Sequence, residues 1–443
     1  MIRELPAKIM TPLGAALALL VWIPGWARVD PDFYEPIPTG RNYRLSPGAI
    51  KHLVDTDDVH GMRRHAWHIF SQLIKPSRQR KDIARWETWY DVDETFAIDP
   101  GPPSGRIPFR RRLEAAPEVE SLCPEPGTPP ARQFNPAAFV LYNREAYKHI
   151  RDNRLYLRKI LDSMQGEVAP FPATAIVLKT NWALVSKAKG NPKGVWDFER
   201  PFPGGVRNPA ANWPRQVCVA EDLSKCTVKD QTAVPVSSFY NFRIDKERLG
   251  SLIKLDQFKE AQEGDYAILL GFHFATREQE DWVWATFWWH DHPKQGVYAD
   301  DRPGHIPKPW SNYLMTTAYD MDKPREPDGR PRIAYNPYLE GSVDDGVTSN
   351  CMSCHRRATL APDGNPTLDV LASDGSIRSS GLAGIVVRGI QAASATYLNT
   401  PLEQRLKLSF LWSLAFHARG EDGVSNASPH AKATCTEKDQ KLQ

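Results

Sequence analysis

Helical spacing of apolar residues dominates the first part of the chain. The pattern begins at Ser46-Pro47, a serine N-cap with proline at the first helical position, and runs to about residue 77. We predict two helices here, divided near Gly61. A core-facing stripe is formed by three residues at helical spacing, Trp67, Phe70 and Leu73. Further helices are predicted over residues 135–164 and 400–417.

Strand patterns fill the middle of the chain. The segments are rich in β-branched and aromatic residues, are bounded by turn residues, and cover residues 173–188, 233–245, 265–275 and 281–292. Five residues separate the last two, which suits an antiparallel hairpin. We therefore predict an α+β fold, with a central antiparallel β-sheet at about residues 170–295 flanked by helices.

Composition narrows the class of protein without identifying a function. A chain of 443 residues is long enough for two or three ordinary domains or one large one. Its 41% hydrophobic and 25% charged residues are typical of a globular protein. The formal net charge is only +3, so bulk charge does not favour nucleic acid, and we expect no nucleic-acid partner.

The N-terminus has the pattern of an export signal. A basic start is followed by an apolar run over residues 13–23 and by Gly25-Trp26-Ala27, a small-x-small cleavage site. Residues 1–27 are therefore predicted to be a signal peptide, which implies export to the periplasm. The alternative is an uncleaved anchor, and membrane association is expected only in that case, since a span needs about 20 apolar residues.

Six cysteines divide into three pairs by position. Cys218 and Cys226 lie in a polar segment that closes a short ring, and we predict a local disulfide between them. Cys123 and Cys435 lie in loop-like sequence, where they form either a long-range disulfide or two unpaired thiols. The remaining two belong to a motif. Disulfides persist in exported proteins, so this usage agrees with the N-terminal signal.

The motif is Cys351-Met352-Ser353-Cys354-His355, the C-x-x-C-H pattern of covalent haem attachment. Each thiol can bond one haem vinyl group, and the adjacent imidazole can bind the iron. Two other interpretations compete. A zinc site needs a second pair of ligands, and Cys218 and Cys226 have the wrong spacing for it. A dithiol redox motif expects a βαβ surround, which the pattern does not predict.

With this motif and an export signal, the chain resembles the c-type cytochromes, and more loosely the large exported single-haem proteins of bacteria. The resemblance implies one covalent haem c, with Cys351 and Cys354 as thioether sites and His355 as the proximal iron ligand. It departs from the small soluble cytochromes in one respect. Met352 is the last methionine of the chain, so no downstream methionine can be the distal ligand.

Several candidates for the distal position remain. They are the upstream methionines Met315 and Met321, a histidine, or an open position. His290 is the tentative choice, because alternation along the predicted strand places it on one face with four other side chains, Trp282, Trp284, Trp288 and His292. In the plainer interpretation these are sheet-core tryptophans and a turn at the strand end. His417 is an alternative ligand.

These observations favour an exported c-type cytochrome that carries one haem and acts in electron transfer with a redox partner protein or a small-molecule donor or acceptor. Whether it is an enzyme stays open. The alternatives are a peroxidase- or oxygenase-like haem oxidoreductase with an open distal iron site, and a haem-based sensor. The catalytic residues of such an enzyme are unknown. After the signal, we predict an α+β body (28–345), a mainly helical haem-attachment region (346–420) and a flexible tail (421–443).

Overall fold

The structure is a computed structural model that describes residues 34–36, 45–100, 137–196, 215–229, 231–320, 334–339, 350–355, 358–360 and 405–420. For Asp256, Ser353 and Cys354 it describes the backbone alone. Several predictions therefore lie outside the described residues: the signal peptide, the C-terminal tail, Met321, and any pairing of Cys123 with Cys435.

The strands are mostly short and are spread from residue 90 to residue 407. They are β1 (Tyr90–Asp91), β2 (Ala137–Tyr142), β3 (Ile176–Val185), β4 (Asn191–Gly194), β5 (Gln216–Ala220), β6 (Thr232–Pro235), β7 (Asn241–Arg243), β8 (Tyr266–Thr276), β9 (Val283–Trp289), β10 (Tyr313–Ala318), β11 (Thr359–Leu360) and β12 (Leu406–Lys407). Seven form one antiparallel sheet in the order β1-β2-β3-β8-β9-β10, with β7 paired to the first residues of β8. The others form β4-β5-β6, in which β5 and β6 are parallel, and the pair β11-β12.

The helices of the described residues are also short. They are α1 (Pro47–Asp55), α2 (Val59–Leu73), α3 (Val92–Phe96), α4 (Arg144–Asp152), α5 (Arg158–Ser163), α6 (Lys246–Leu252), α7 (Cys351–His355) and α8 (Trp412–His417). Within the described ranges, none is long and apolar enough to cross a membrane.

The predicted mixed fold with a large antiparallel sheet and flanking helices is confirmed. β3 and β9 lie inside two of the predicted segments, β8 exceeds a third by one residue, and β8 and β9 form the expected hairpin. The fourth segment contains only the end of β6 and the short β7. The sheet is wider than predicted because β10, which lies outside the predicted strand segments, also belongs to it.

The helix predicted over residues 135–164 is wrong in its first part. Ala137–Tyr142 forms β2, which pairs with β3 along its whole length. Helix α4 begins only after Asn143, whose side chain caps it by accepting from the Ala146 amide. Six residues with few polar side chains do not distinguish a helix from a buried strand, and here the pairing with β3 decides.

The break between α1 and α2 lies before the predicted one. Asp57 adopts a left-handed conformation (φ 53°), and Asp58 then caps α2 by accepting from the Gly61 amide at 2.8 Å. Gly61 lies inside α2. A Cβ atom there would lie 2.6 Å from Leu53 Cδ2, so the glycine permits the close approach of the two helices instead of breaking them.

A mainly helical C-terminal region is not supported by the described residues. They contain α7, α8 and the two-stranded β11-β12. The helix predicted over residues 400–417 begins only at Trp412. Two preceding residues, Ser409 (φ 48°) and Phe410 (φ 67°), are left-handed, and this ends any continuous helix there.

Side chains from the two faces of the large sheet enter two different hydrophobic clusters. On one face, Phe287 stacks on Phe70 of α2 with ring centroids 4.0 Å apart, and we call this the α2 face. On the other, Trp284 shares a cluster with Cys351 and Met352 of α7, and we call this the motif face. The segments that carry α7, α8 and β11-β12 therefore pack directly onto the predicted body.

Candidate functional site

The C-x-x-C-H motif forms helix α7 on the motif face. Residues three and four apart lie on the same side of a helix. The backbone therefore places positions 351, 354 and 355 on one side. This is the spacing required to present two thioether positions and an imidazole to one flat group.

The N-terminal end of α7 is tied to residues 334–339, which we call the strap. The Asn350 side chain accepts from the Met352 amide at 3.0 Å, and Asn350 pairs with Ala334 in a parallel bridge. The Cys351 thiol lies 3.1 Å from the Ala334 carbonyl oxygen, which it can reach as a donor. Both Cys351 and Met352 are buried.

The strap is fixed to the sheet by Asn336. Its amide nitrogen donates to Thr286 Oγ1 at 2.8 Å and to the Phe287 carbonyl at 2.9 Å. A Cβ atom on residue 271 would lie only 2.8 Å from Asn336 Oδ1, closer than a side chain normally approaches. Gly271 is therefore the position that lets the strap, and with it α7, lie close to the motif face.

The His355 ring is oriented by a backbone carbonyl. Its Nδ1 lies 2.8 Å from the Phe410 oxygen. A carbonyl only accepts, so Nδ1 carries the proton, and Nε2 of the neutral ring is left with its lone pair. Metal-ligating histidines commonly have this arrangement, in which the second nitrogen donates to a carbonyl or carboxylate.

Strained backbone presents that carbonyl. Ser409 and Phe410 are consecutive non-glycine residues with positive φ, a conformation that costs about 1–2 kcal/mol per residue. Such strain tends to concentrate at functional sites. The turn follows β12 directly, and Leu408 is tied to the residues after α7 by a 2.9 Å bond from its amide to the Ala358 carbonyl.

His355 is neutral near pH 7. Burial lowers its pKa to about 4, the bond to Phe410 acts in the opposite direction, and the charge of Lys179 lowers it further. A neutral imidazole with a free Nε2 is the form that binds metals.

The aromatic strand meets the motif at one residue. The rings of Trp284 and His355 lie 4.2 Å apart between centroids, tilted by 38°. Trp282 lies just before β9 and packs on Phe171, and Trp288 packs on Tyr298. Of the three tryptophans on the predicted face, Trp284 is the one whose ring contacts His355.

The structure does not bring His290 or His292 to His355. His290 is six residues beyond Trp284 along an extended chain, roughly 20 Å away. Its ring lies beside Arg215 and Asp291, and burial is the main reason its pKa falls to about 4. His292 is exposed beside the same aspartate.

Three other nitrogen-bearing side chains form a set with His355, since Lys179 acts electrostatically on His355, His273 and His417, and His273 lies opposite Lys179. We call Lys179, His273, His355 and His417 the nitrogen cluster. The charge of Lys179 lowers the pKa of all three histidines, although burial is the larger cause in each. The pKa of His417 falls to about 3, and that of His273 falls well below its usual value. Within the part of the chain that the structure describes, Lys179, His273 and His417 make no hydrogen bond or ion pair.

Sequence reasoning named His417 but missed Lys179, His273 and Phe410. Lys179 and His273 are directly paired across β3 and β8, on the motif face. Both lie in correctly predicted strands, and alternation shows which residues of each strand share a face. The sequence pattern does not show which of the two faces would pack against the motif. The Phe410 carbonyl leaves no signal in the sequence, since every residue has one.

The upstream methionine Met315 faces away from the site. It lies opposite Phe287 in the strand pair and belongs to the hydrophobic cluster of the α2 face. A sheet therefore separates its thioether from α7.

The predicted disulfide between Cys218 and Cys226 is confirmed, with the two Cα atoms 5.7 Å apart. It joins β5 to the turn that follows it. A Cβ of Gly190 would lie 2.6 Å from Cys218 Sγ, so glycine is required beside the bridge.

The donor set fits a covalently attached haem. The two cysteine positions and His355 lie on one side of the helix. The Phe410 carbonyl accepts from Nδ1 of His355, so the lone pair of Nε2 is available to a metal. A porphyrin fills four iron positions, so only one or two protein ligands are needed. Among the described residues, no group of three or more histidine, cysteine or acidic side chains is arranged to hold a metal ion by itself.

Comparisons with known proteins identify no relative. No family model matches the chain, and no curated protein or solved structure resembles it.

Proposed function

We propose that the chain is an exported c-type cytochrome that carries one covalent haem and acts in electron transfer. Cys351 and Cys354 are the attachment sites, and His355 is the proximal ligand. The observation that carries the proposal is the bond from His355 Nδ1 to the Phe410 carbonyl within a C-x-x-C-H helix. The motif alone supplies the residues, whereas this bond supplies the tautomer and orientation that an iron ligand needs.

The residues around the site have separate tasks in this proposal. Phe410 holds the proton on Nδ1 and so keeps Nε2 available. Trp284 covers one side of the His355 ring and excludes water from it. A haem bound there supplies one-electron chemistry between ferric and ferrous iron, with a potential set by axial ligation and burial.

The attachment region of this proposal is residues 346–420, and it acts together with the sheet. Side chains of α7, β11, β12 and α8 share one hydrophobic cluster with Tyr142, Val177 and Trp284 of the motif face. Such shared packing gives the bound group a rigid floor. In this proposal, the large part of the chain that precedes the haem motif in sequence therefore contributes directly to the haem site.

The proposed location is the periplasm. The disulfide between Cys218 and Cys226 supports an oxidising compartment, since such bridges are rare in reducing cytosol. We expect the partner to be a redox protein or a small-molecule electron donor or acceptor.

The test is haem staining after denaturing electrophoresis of protein exported from a host that attaches c-type haem. The wild-type chain should retain haem, and it should resist acid–acetone extraction. C351A together with C354A should lose the stain. S353A, which changes a variable position of the same helix, is the matched control and should retain it. A double variant that still holds haem covalently would refute the attachment sites.

One observation favours a second candidate, a peroxidase- or oxygenase-like haem oxidoreductase. Lys179, His273 and His417 make no hydrogen bond or ion pair within the described ranges, and neutral histidines near an open iron can act as general acids or bases. Carbon monoxide distinguishes the two candidates. Ready binding to the ferrous protein would favour the oxidoreductase, and no binding would favour the electron carrier.

A further inference from the structure

We propose that His273 is the second axial ligand of the iron, an inference that rests on the covalent haem proposed above. It deepens that proposal, because a second side-chain ligand closes the iron to small molecules and favours electron transfer.

His273 lies on the central strand of the large sheet, with β3 on one side and β9 on the other. It is opposite Lys179 and Thr286, on the motif face. Its diagonal neighbour on β9 is Trp284, since Trp284 pairs with Ala275 two residues further along. Diagonal neighbours lie roughly 7–8 Å apart at their Cα atoms. Trp284 is the residue that contacts His355, so His273 projects beside the proximal ring.

The ring of His273 is half-buried. It makes no hydrogen bond with any residue that the structure describes. Within the described ranges, both ring nitrogens are therefore available to a ligand on the motif face, the face on which Trp284 contacts His355.

His417 is the strongest rival. It is buried at the end of α8, with its ring 5.5 Å from that of Phe96. The ring of His417 packs on Phe96, whereas His273 is the diagonal neighbour of Trp284, which contacts His355. His273 also lies on a long central strand, which fixes a ligand more precisely than a six-residue helix.

The other candidates lie too far away or on the wrong side. Met315 is on the α2 face. His290 lies roughly 20 Å along the chain from Trp284. Lys179 lies directly opposite His273 on the neighbouring strand and also carries a nitrogen, so it is included in the test.

The experiment measures the spin state and carbon monoxide binding of the full-length holoprotein, with H273A, H417A and K179M as variants. We expect the wild-type iron to be low-spin and not to bind carbon monoxide. H273A should become high-spin and gain carbon monoxide binding that the wild type lacks, and added imidazole should restore the low-spin spectrum. H417A and K179M should match the wild type.

Three outcomes would overturn the assignment: an H273A protein that stays low-spin, the same loss in H417A or K179M instead, or a wild-type iron that is already high-spin. Imidazole rescue guards against a variant that merely misfolds, because a collapsed site would not recover its spectrum. Haem staining of the same samples separates the two proposals. A stained but low-spin H273A protein refutes this ligand alone, whereas an unstained wild-type protein refutes covalent attachment, and with it the ligand.

Discussion

The imidazole of His355 lies against the indole of Trp284, with ring centroids 4.2 Å apart. The contact joins a short helix near the end of the chain to a strand that is 71 residues earlier. It places a sequence motif, which alone implies only a ligand, against a rigid sheet. The site therefore depends on residues from both segments, and substitutions in either should affect it.

Loss of the Trp284 ring should destabilise the protein more than loss of its polar atom. W284A removes a buried indole, and we expect the free energy of unfolding to fall by about 3–5 kcal/mol. W284F is the matched control, since it retains an aromatic ring against His355 but loses the bond from Nε1 to the Asp281 carbonyl. Urea unfolding of both variants measures the difference. Equal losses would show that the ring contact contributes little.

The left-handed turn before α8 should accept glycine and reject a β-branched residue. Ser409 is buried with φ 48°, so S409G relieves strain and should change stability by less than about 1 kcal/mol in either direction. S409V should lower the stability by clearly more than S409G changes it, because valine is disfavoured at positive φ. Thermal unfolding compares the two. If S409V proved as stable as S409G, the backbone conformation assigned to this turn would be wrong.

Acid should destabilise the protein through its buried histidines. The pKa of His417 in the folded state is about 3 against an ordinary 6.5, so between these values the unfolded state binds the proton and the folded state does not. Stability should thus fall as the pH drops from about 6.5 towards 3. Replacement by leucine removes one such group, and H417L should reduce the slope by up to about 1.4 kcal/mol per pH unit. Denaturant unfolding at a series of pH values measures it, and an unchanged slope would contradict the burial of His417.

A buried carboxyl group on the α2 side should act in the opposite direction. Glu87 accepts hydrogen bonds from Tyr240 and from the Ala84 amide, and burial raises its pKa from 4.5 to about 7. The folded state therefore holds a proton that the unfolded state releases, and stability is lost as the pH rises from 4.5 through 7.

E87Q keeps an acceptor oxygen for both donors and cannot ionise. We expect it to be more stable than the wild type at pH 8.5 by roughly 1–3 kcal/mol, with a much smaller difference at pH 5. Melting temperatures at the two pH values are the measurement. A difference independent of pH would show that Glu87 is ionised throughout, or not buried.

Removal of the disulfide should cost a moderate amount of stability. The bridge joins two cysteines that are eight positions apart in the sequence. Loop-closure entropy therefore predicts that C218A together with C226A lowers the free energy of unfolding by about 2.5 kcal/mol. Reductant should lower the free energy of unfolding of the wild type to that of the double variant, and it should leave the double variant unchanged. If reductant did not affect the wild-type protein, the bridge would be absent in solution.

Local patterns predicted the parts of the fold in which local preference and tertiary packing agree. Ser46 caps α1 as expected, by accepting from the Ala49 amide. β8 and β9 carry aromatic and β-branched residues next to a short turn, so their pairing could be read directly. Cys218 and Cys226 are close enough in sequence to limit their choice of partner.

Other parts depend on long-range pairing that a single sequence does not encode locally. β2 is a strand because β3 lies beside it, although its residues also suit a helix. The row of Lys179, His273 and Thr286 forms only when β3, β8 and β9 are in register. The motif therefore identified the candidate residues of α7 from the sequence, whereas the side chains around them could be identified only from the sheet.

The most direct test of the central claim is peptide mass spectrometry of the exported, full-length protein after proteolysis in denaturant. The account predicts that the peptide containing Cys351 to His355 carries the added mass of one haem, and that fragmentation assigns the two bonds to Cys351 and Cys354. Recovery of that peptide with two unmodified thiols, or with a disulfide between them, from a host that attaches haem to other proteins would contradict it.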